Sequence, residues 1–181
     1  VFFAQSDNPS GFAEALKSIF ENESIMKVSA DIKGDMLFLK RNGVCFDKSY
    51  FDTGIAAYLI NPAKSSYDIS SVALDFLSMP LKDEKEIFKT GKNQITVFDM
   101  EISEIEDFLA PELCALEKLV EYETGKIKEL GQENLLYDIE FPLICVLADM
   151  EYEGFKVDKS RLMEFTRNLS VKINEMENEI Y

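Results

Sequence analysis

Leu136-Tyr137-Asp138-Ile139-Glu140-Phe141-Pro142-Leu143-Ile144-Cys145-Val146-Leu147-Ala148-Asp149-Met150-Glu151-Tyr152-Glu153-Gly154-Phe155-Lys156-Val157-Asp158 is the most informative run of this 181-residue chain. Its first part reads as a long helix, roughly Asn134 to Glu153. Pro142 lies inside that helix and has no N–H to donate, so a bend is expected there. Gly154 is a natural stop, because glycine takes the left-handed conformation that closes a helix. Phe155-Lys156-Val157 is a short extended link, and Asp158 is placed to cap the next helix.

That last helix carries Leu162, Phe165, Leu169, Ile173, Met176 and Ile180 at helical spacing. The stripe is made for packing on another element, and it is short for a coiled-coil seam. Upstream, Ile102, Ile105, Leu109, Leu113, Leu116 and Leu119 mark another long helix, ending near Leu130 with Gly131 as its stop. Pro111 should kink or restart it. The chain before residue 100 has shorter elements. Val1-Phe2-Phe3-Ala4 reads as a strand, and Asn8-Pro9 starts a helix carrying Phe12, Leu16, Ile19 and Phe20. Ser24 to Ser29 is a β-like run, followed by a helix over 32–42 that Asn42-Gly43 ends. Val44-Cys45-Phe46 reads as a strand. Asp52 caps a helix from Thr53 to Ile60, and Ile69 to Ser78 is one more helix. Residues 82–99 are charged and turn-like, which predicts a mobile loop with Lys85, Lys89 and Lys92 facing solvent rather than phosphate. Strands alternate with helices first and long helices follow, so the pattern predicts a small α/β layer with a helical extension.

Composition narrows the chemistry. The chain has no histidine, which removes Ser-His-Asp and Cys-His catalysis and histidine-ligated metals. It has neither a Gly-rich phosphate loop nor a GxSxG elbow. Cys45, Cys114 and Cys145 are scattered among apolar neighbours and read as small buried hydrophobes. Metal chemistry is left to carboxylates, which suit magnesium or manganese. The net charge of −15 repels phosphate at long range, so autonomous nucleic-acid binding is expected to be weak or absent. No apolar run is long enough to cross a bilayer, and nothing at the start resembles a signal peptide, so the expected compartment is the cytoplasm. Val1 and the unfinished helical pattern at Tyr181 read as cuts within a longer chain.

The run from Leu136 to Asp158 resembles the bacterial family A DNA polymerases. Their pattern E-x-P-L-x-x-V-L-x-x-M-E-x-x-G-(I/V/F)-x-(V/I)-D falls at the junction of exonuclease and polymerase domains. The resemblance continues at Phe51-Asp52-Thr53 and Ala56-Ala57-Tyr58-Leu59-Ile60-Asn61-Pro62, similar to the family's F-D-x-x-x-A-A-Y-L-L-x-P. The second exonuclease motif, N-x-x-(Y/F)-D, falls on Asp31-Ile32-Lys33-Gly34-Asp35. There the Asp remains at Asp35, while Asp31 replaces the Asn and Gly34 the aromatic. The third motif, Y-x-x-x-D, falls on Phe108-Leu109-Ala110-Pro111-Glu112, where the tyrosine hydroxyl is lost and the Asp has become Glu112. The first motif, D-x-E, would precede Val1.

The resemblance implies an RNase H-like, 3′-5′ exonuclease-like α/β layer, incomplete at its N-terminus, with a long-helical C-terminal extension. Residues 1–131 would be a vestigial exonuclease-like domain. Residues 132–181 would be a linker helix and the first thumb helix of the polymerase region. Asp31, Gly34, Asp35, Phe108 and Glu112 would be vestigial motif positions, with no catalytic or metal residue among them. The chain would be an inactive structural part of a DNA-directed DNA polymerase of replication and repair. It would hold no cofactor itself, magnesium belonging to the parent polymerase, and would meet DNA only through that parent. An unpaired strand edge and the uncovered last helix predict a homodimer or a rearranged sheet. Two alternatives stand beside this reading: an active two-metal 3′-5′ exonuclease, and an acidic helical protein-interaction module, which an all-helical fold would favour.

Overall fold

Side-chain oxygens set the helix starts, as the polar residues before each apolar run lead one to expect. The computed structural model describes residues 8–82, 87–88, 95–96 and 99–180. Helix α1 (Pro9–Phe20) begins at Asn8, whose side chain accepts the Gly11 N–H at 3.1 Å. Strand β1 (Lys27–Ser29) follows, then α2 (Ile32–Arg41), capped by Asp31 through the Gly34 N–H at 3.1 Å. Strand β2 (Tyr50–Asp52) runs straight into α3 (Thr53–Ile60). α4 (Ile69–Leu77) is capped by Asp68, whose carboxyl is held down at about 2, first by the Ser66 hydroxyl. α5 (Ile102–Glu129) is the long helix, and a π-helical turn (Leu135–Glu140) leads into α6 (Phe141–Glu153). α7 (Lys159–Ile180) closes the order, capped by Asp158 through the N–H groups of Ser160 and Arg161 at 3.0 and 3.1 Å.

Among the described residues the sheet is one parallel pair, β1 beside β2, with Lys27 opposite Tyr50, Val28 opposite Phe51 and Ser29 opposite Asp52. The fold is therefore mostly helical around a small parallel sheet. An isolated two-stranded pair is marginal in water, so it must lean on helices. Asp52 supplies that support. Its Oδ1 accepts the Ile55 N–H at 2.8 Å in α3, and its Oδ2 accepts the Ile32 N–H at 2.9 Å at the start of α2. One buried carboxylate thus joins the end of β2 to two helix N-termini.

The main core draws Ile32, Met36 and Leu37 from α2, Phe51 from β2, Ala56 from α3, Ile127 from α5, Leu136 from the π turn, and Phe141, Ile144 and Ala148 from α6. Lys33–Glu151 at 2.5 Å and Lys40–Asp149 at 2.6 Å cross from α2 to α6 at the surface, where such pairs contribute little. A second cluster joins Ala57, Val72 and Leu119 from α3, α4 and α5. A third joins Ala13 of α1 to Leu39 and Val44.

Several expectations change. Val44-Cys45-Phe46 is irregular, and the second strand lies at Tyr50–Asp52 instead. The Val44 N–H bonds the Leu39 carbonyl at 3.0 Å and the Gly43 N–H bonds Lys40 at 3.2 Å, with Gly43 at φ +82°. This closure of α2 spends the amide that a ladder at Val44 would need. The β-like run from Ser24 shrinks to Lys27–Ser29. Pro111 neither divides nor restarts α5, which is one continuous helix. The proline lies on the exposed side, where water reaches the carbonyl it frees. At Pro142 the disturbance takes the form of the π turn that precedes it. The buried face of α5 is Ile105, Phe108, Ala115, Leu119, Glu123 and Ile127, so Ile102 and Leu113 of the expected stripe face solvent. The cysteines are not buried: Cys45 and Cys114 are exposed and Cys145 is half-buried. Val44 takes the inward place beside Cys45, and Ala115 takes it beside Cys114.

The apolar stripe of α7 is uncovered as expected, with no residue of that helix buried, Phe165 64% exposed and Ile180 75%. The strand expected at Val1–Ala4 lies outside the described residues, as do Lys85, Lys89 and Lys92 and most of the loop expected over 82–99.

Removing the bridging carboxylate should be costly. Asp52→Ala is expected to lower unfolding free energy by about 2–4 kcal/mol, because it strips two helix N-termini at a buried site. Asp31→Ala, which removes one exposed cap, should cost about 1 kcal/mol. Urea unfolding of both variants checks this, and equal losses would refute the bridge.

Candidate functional site

The end of β1 and the start of α2 hold the second-motif positions. Asp31 is exposed and spends its carboxylate on the Gly34 N–H. Gly34 fits tightly there, since a Cβ on it would stand 2.5 Å from the Asp31 Oδ2. The Ser29 hydroxyl accepts the Asp31 N–H at 3.2 Å and also bonds the Asp35 carboxyl. Asp35 is solvent-exposed, yet the protein packed against its carboxyl pushes its pKa up. Asp31 and Asp52 add to that rise, and the Ser29 bond opposes it. Solvent contact keeps the effect modest.

Asp35 borders a cavity of about 400 Å³ whose other walls include Ser29, Phe38, Leu113 and Leu116. Helix α5 thus reaches the same hollow as Asp35, but through two leucines. Phe108, the third-motif aromatic position, is buried and meets Phe88 edge-on at 6.0 Å. Glu112 is half-buried and is not among the residues bordering the Asp35 cavity.

A magnesium pair of the kind that cuts phosphodiesters needs several carboxylates converging on it. Among the described residues no group of three or more Asp, Glu or Cys side chains is placed to hold an ion. The cavity wall carries one carboxylate, Asp35, beside Ser29, Lys27 and otherwise apolar side chains. Among the described residues, this cavity therefore offers one of the several carboxylates that such a pair needs.

The most unusual acids lie elsewhere. Asp52 is 4% exposed, and burial raises its pKa against the pull of the Ile55 and Ile32 amides. Glu123 on α5 is 0% exposed, and neither of its carboxyl oxygens has a hydrogen-bond partner. Burial first, and Asp52 second, push its pKa up to about 9. At neutral pH Glu123 keeps its proton while Asp52 serves as the anion for two helix ends. Sequence reading found Asp52 as a cap for α3 but not its bond to α2, and it missed Glu123. A signal was present, since Glu123 falls between Leu119 and Ile127 on one helical face.

Residues 2–119 match the family model of the DNA polymerase I ribonuclease H-like domain. DNA polymerase I of Bacillus subtilis (strain 168) is 31% identical over 170 residues, covering 93% of this chain and 19% of that protein. DNA polymerase I of Streptococcus pneumoniae serotype 4 is 34% identical over 154 residues, covering 83% of this chain and 17% of that protein. The chain therefore spans less than a fifth of these relatives. Among solved structures, the POL domain of Pol1 from M. smegmatis, in complex with DNA primer-template and dNTP, matches with a TM-score of 0.67 at 21% identity. The match covers 90% of this chain and 25% of that one, and it is a likeness of fold.

Glu123 makes a prediction of its own. Its folded pKa lies above the unfolded value, so its favourable contribution is complete below about pH 4.5 and is lost as pH rises toward 9. Unfolding free energy should fall across that window by on the order of 1 kcal/mol per pH unit. Glu123→Met should flatten the slope and add about 1–3 kcal/mol at neutral pH. Urea unfolding of both proteins from pH 5 to about pH 9 reads it; an unchanged slope in the variant would refute the assignment.

Proposed function

The chain belongs to the DNA polymerase I ribonuclease H-like domain family, and from that premise we propose that it serves as a non-catalytic scaffold within a DNA-directed DNA polymerase of replication and repair. The observation that supports this reading is that Asp35 is the one carboxylate bordering its cavity. Asp35 stands beside an apolar cavity, and no group of three or more acids is gathered for metal among the described residues.

In this reading residues 1–131 are an exonuclease-like body that spaces and braces the polymerase region. Residues 132–181 are its linker helix and first thumb helix. The sharing of one core by α2, β2 and α6 supports a stiff linker, because Phe141, Ile144 and Ala148 are anchored beside Ile32 and Phe51. The exposed stripe of α7 suits a helix whose partners lie in the polymerase region. DNA is met through the parent, where magnesium acts, and the net charge of −15 disfavours phosphate binding by this part alone. The parallel β1–β2 pair weighs against a purely helical acidic interaction module.

The test is hydrolysis. The purified 181-residue chain, given single-stranded DNA with magnesium or manganese, should release no nucleotide above buffer. Asp35→Ala should leave that baseline unchanged. Manganese-dependent release that disappears in Asp35→Ala would establish an active exonuclease instead.

A further inference from the structure

Two cysteines distant in sequence, Cys45 and Cys145, border one cavity of about 360 Å³ between α2, α6 and the loop from Asn42 to Ser49. Cys45 is exposed on that loop, and Cys145 is half-buried on α6. The Cys145 Sγ lies 3.8 Å from the Asp47 carbonyl oxygen and 3.2 Å from the Tyr50 hydroxyl. Cys145 is therefore docked against the loop that carries Cys45. The Tyr50 hydroxyl donates its single proton to the Phe141 carbonyl at 2.6 Å. The thiol of Cys145 is then the donor, to the Tyr50 oxygen or the Asp47 carbonyl. Lys40 borders the same cavity, paired there with Asp149 at 2.6 Å.

We propose that Cys45 and Cys145 are a peroxide-sensitive thiol pair that closes into a reversible disulfide across this cavity. The Cys45 sulfur attacks a hydrogen peroxide oxygen, the O–O bond breaks, and the departing hydroxide takes the thiol proton and leaves as water. Cys45 is then a sulfenic acid. The Cys145 sulfur attacks the Cys45 sulfur, the S–O bond breaks, and a second water carries off the hydroxyl and the thiol proton. Both sulfurs are oxidised by one electron each and the peroxide is reduced to two waters. A disulfide needs the two Cα atoms within about 7 Å. The loop from Asn42 to Ser49 has neither helix nor strand, and Val44, buried with its amide on the Leu39 carbonyl, is its fixed point beside Cys45. Closure would draw on Phe46, which stacks on Phe20 at 5.8 Å. The bond would staple the α2–β2 loop to α6. Cys114 is exposed on α5 and does not border the cavity, so it serves as an internal control.

The experiment is intact-mass and peptide-mass spectrometry of the purified chain after stoichiometric hydrogen peroxide. The expected result is a loss of two hydrogen masses, reversed by dithiothreitol, with Cys45 and Cys145 peptides joined and Cys114 still free. In Cys145→Ser, Cys45 should instead gain one and then two oxygen masses. In Cys45→Ser, an exposed change that spares the fold, the mass loss should vanish. Oxygen adducts on Cys45 of the unaltered chain without mass loss, or a linkage through Cys114 or between two molecules, would overturn the pair.

Discussion

A single carboxylate holds the centre of this fold together. Asp52 ends a strand of three residues, and that strand has one neighbour of the same length among the described residues. Ladder bonds alone could not keep such a pair in register. By accepting the Ile32 and Ile55 amides, Asp52 fixes the starts of α2 and α3 to the end of the sheet. The positive ends of two helix dipoles converge on one anion, which offsets part of the loss of water around it.

This arrangement constrains its surroundings. Glu123 is a second buried acid near Asp52, and burial first, with the Asp52 charge second, raises its pKa to about 9. Helix α5 carries Glu123 into the interior and also supplies Ile127 and Leu119 to the two larger apolar clusters. The same helix therefore links a strained polar point to the apolar packing that tolerates it. Helix α6 completes the main cluster from the other side, while α7 buries nothing. Burial ends on α6 at Ala148, ahead of the extended link after Gly154.

Local chemistry made much of this legible in the sequence. Asn8, Asp31, Asp52 and Asp158 each precede an apolar run, and each caps a helix. Gly43 and Gly131 take positive φ at helix ends, at +82° and +67°. What local pattern could not give was pairing. Tyr50–Asp52 is a strand only because Lys27–Ser29 lies beside it, and Val44 is not one because its amide returns to Leu39. The phase of α5 was misread for a related reason. Leucines mark helical phase only when they are the buried side, and here Ala115 and Glu123 hold that side while Leu113 is exposed. The motif positions were found through resemblance, whereas Glu123 needed the burial of its neighbours to be known.

Asp31, Gly34, Asp35 and Phe108 each take part in local hydrogen bonding or packing where they stand. Asp31 caps α2, and Gly34 is small because that cap comes within 2.5 Å of where a Cβ would be. Asp35 takes the Ser29 hydroxyl, which also holds the Asp31 amide, so the turn between β1 and α2 is a closed hydrogen-bond chain. Phe108 fills space against Phe88. An aromatic without its hydroxyl cannot orient a water but packs well. At Asp31, Gly34 and Phe108 the departures from the exonuclease pattern coincide with a side chain that caps a turn, leaves room for that cap or fills the core.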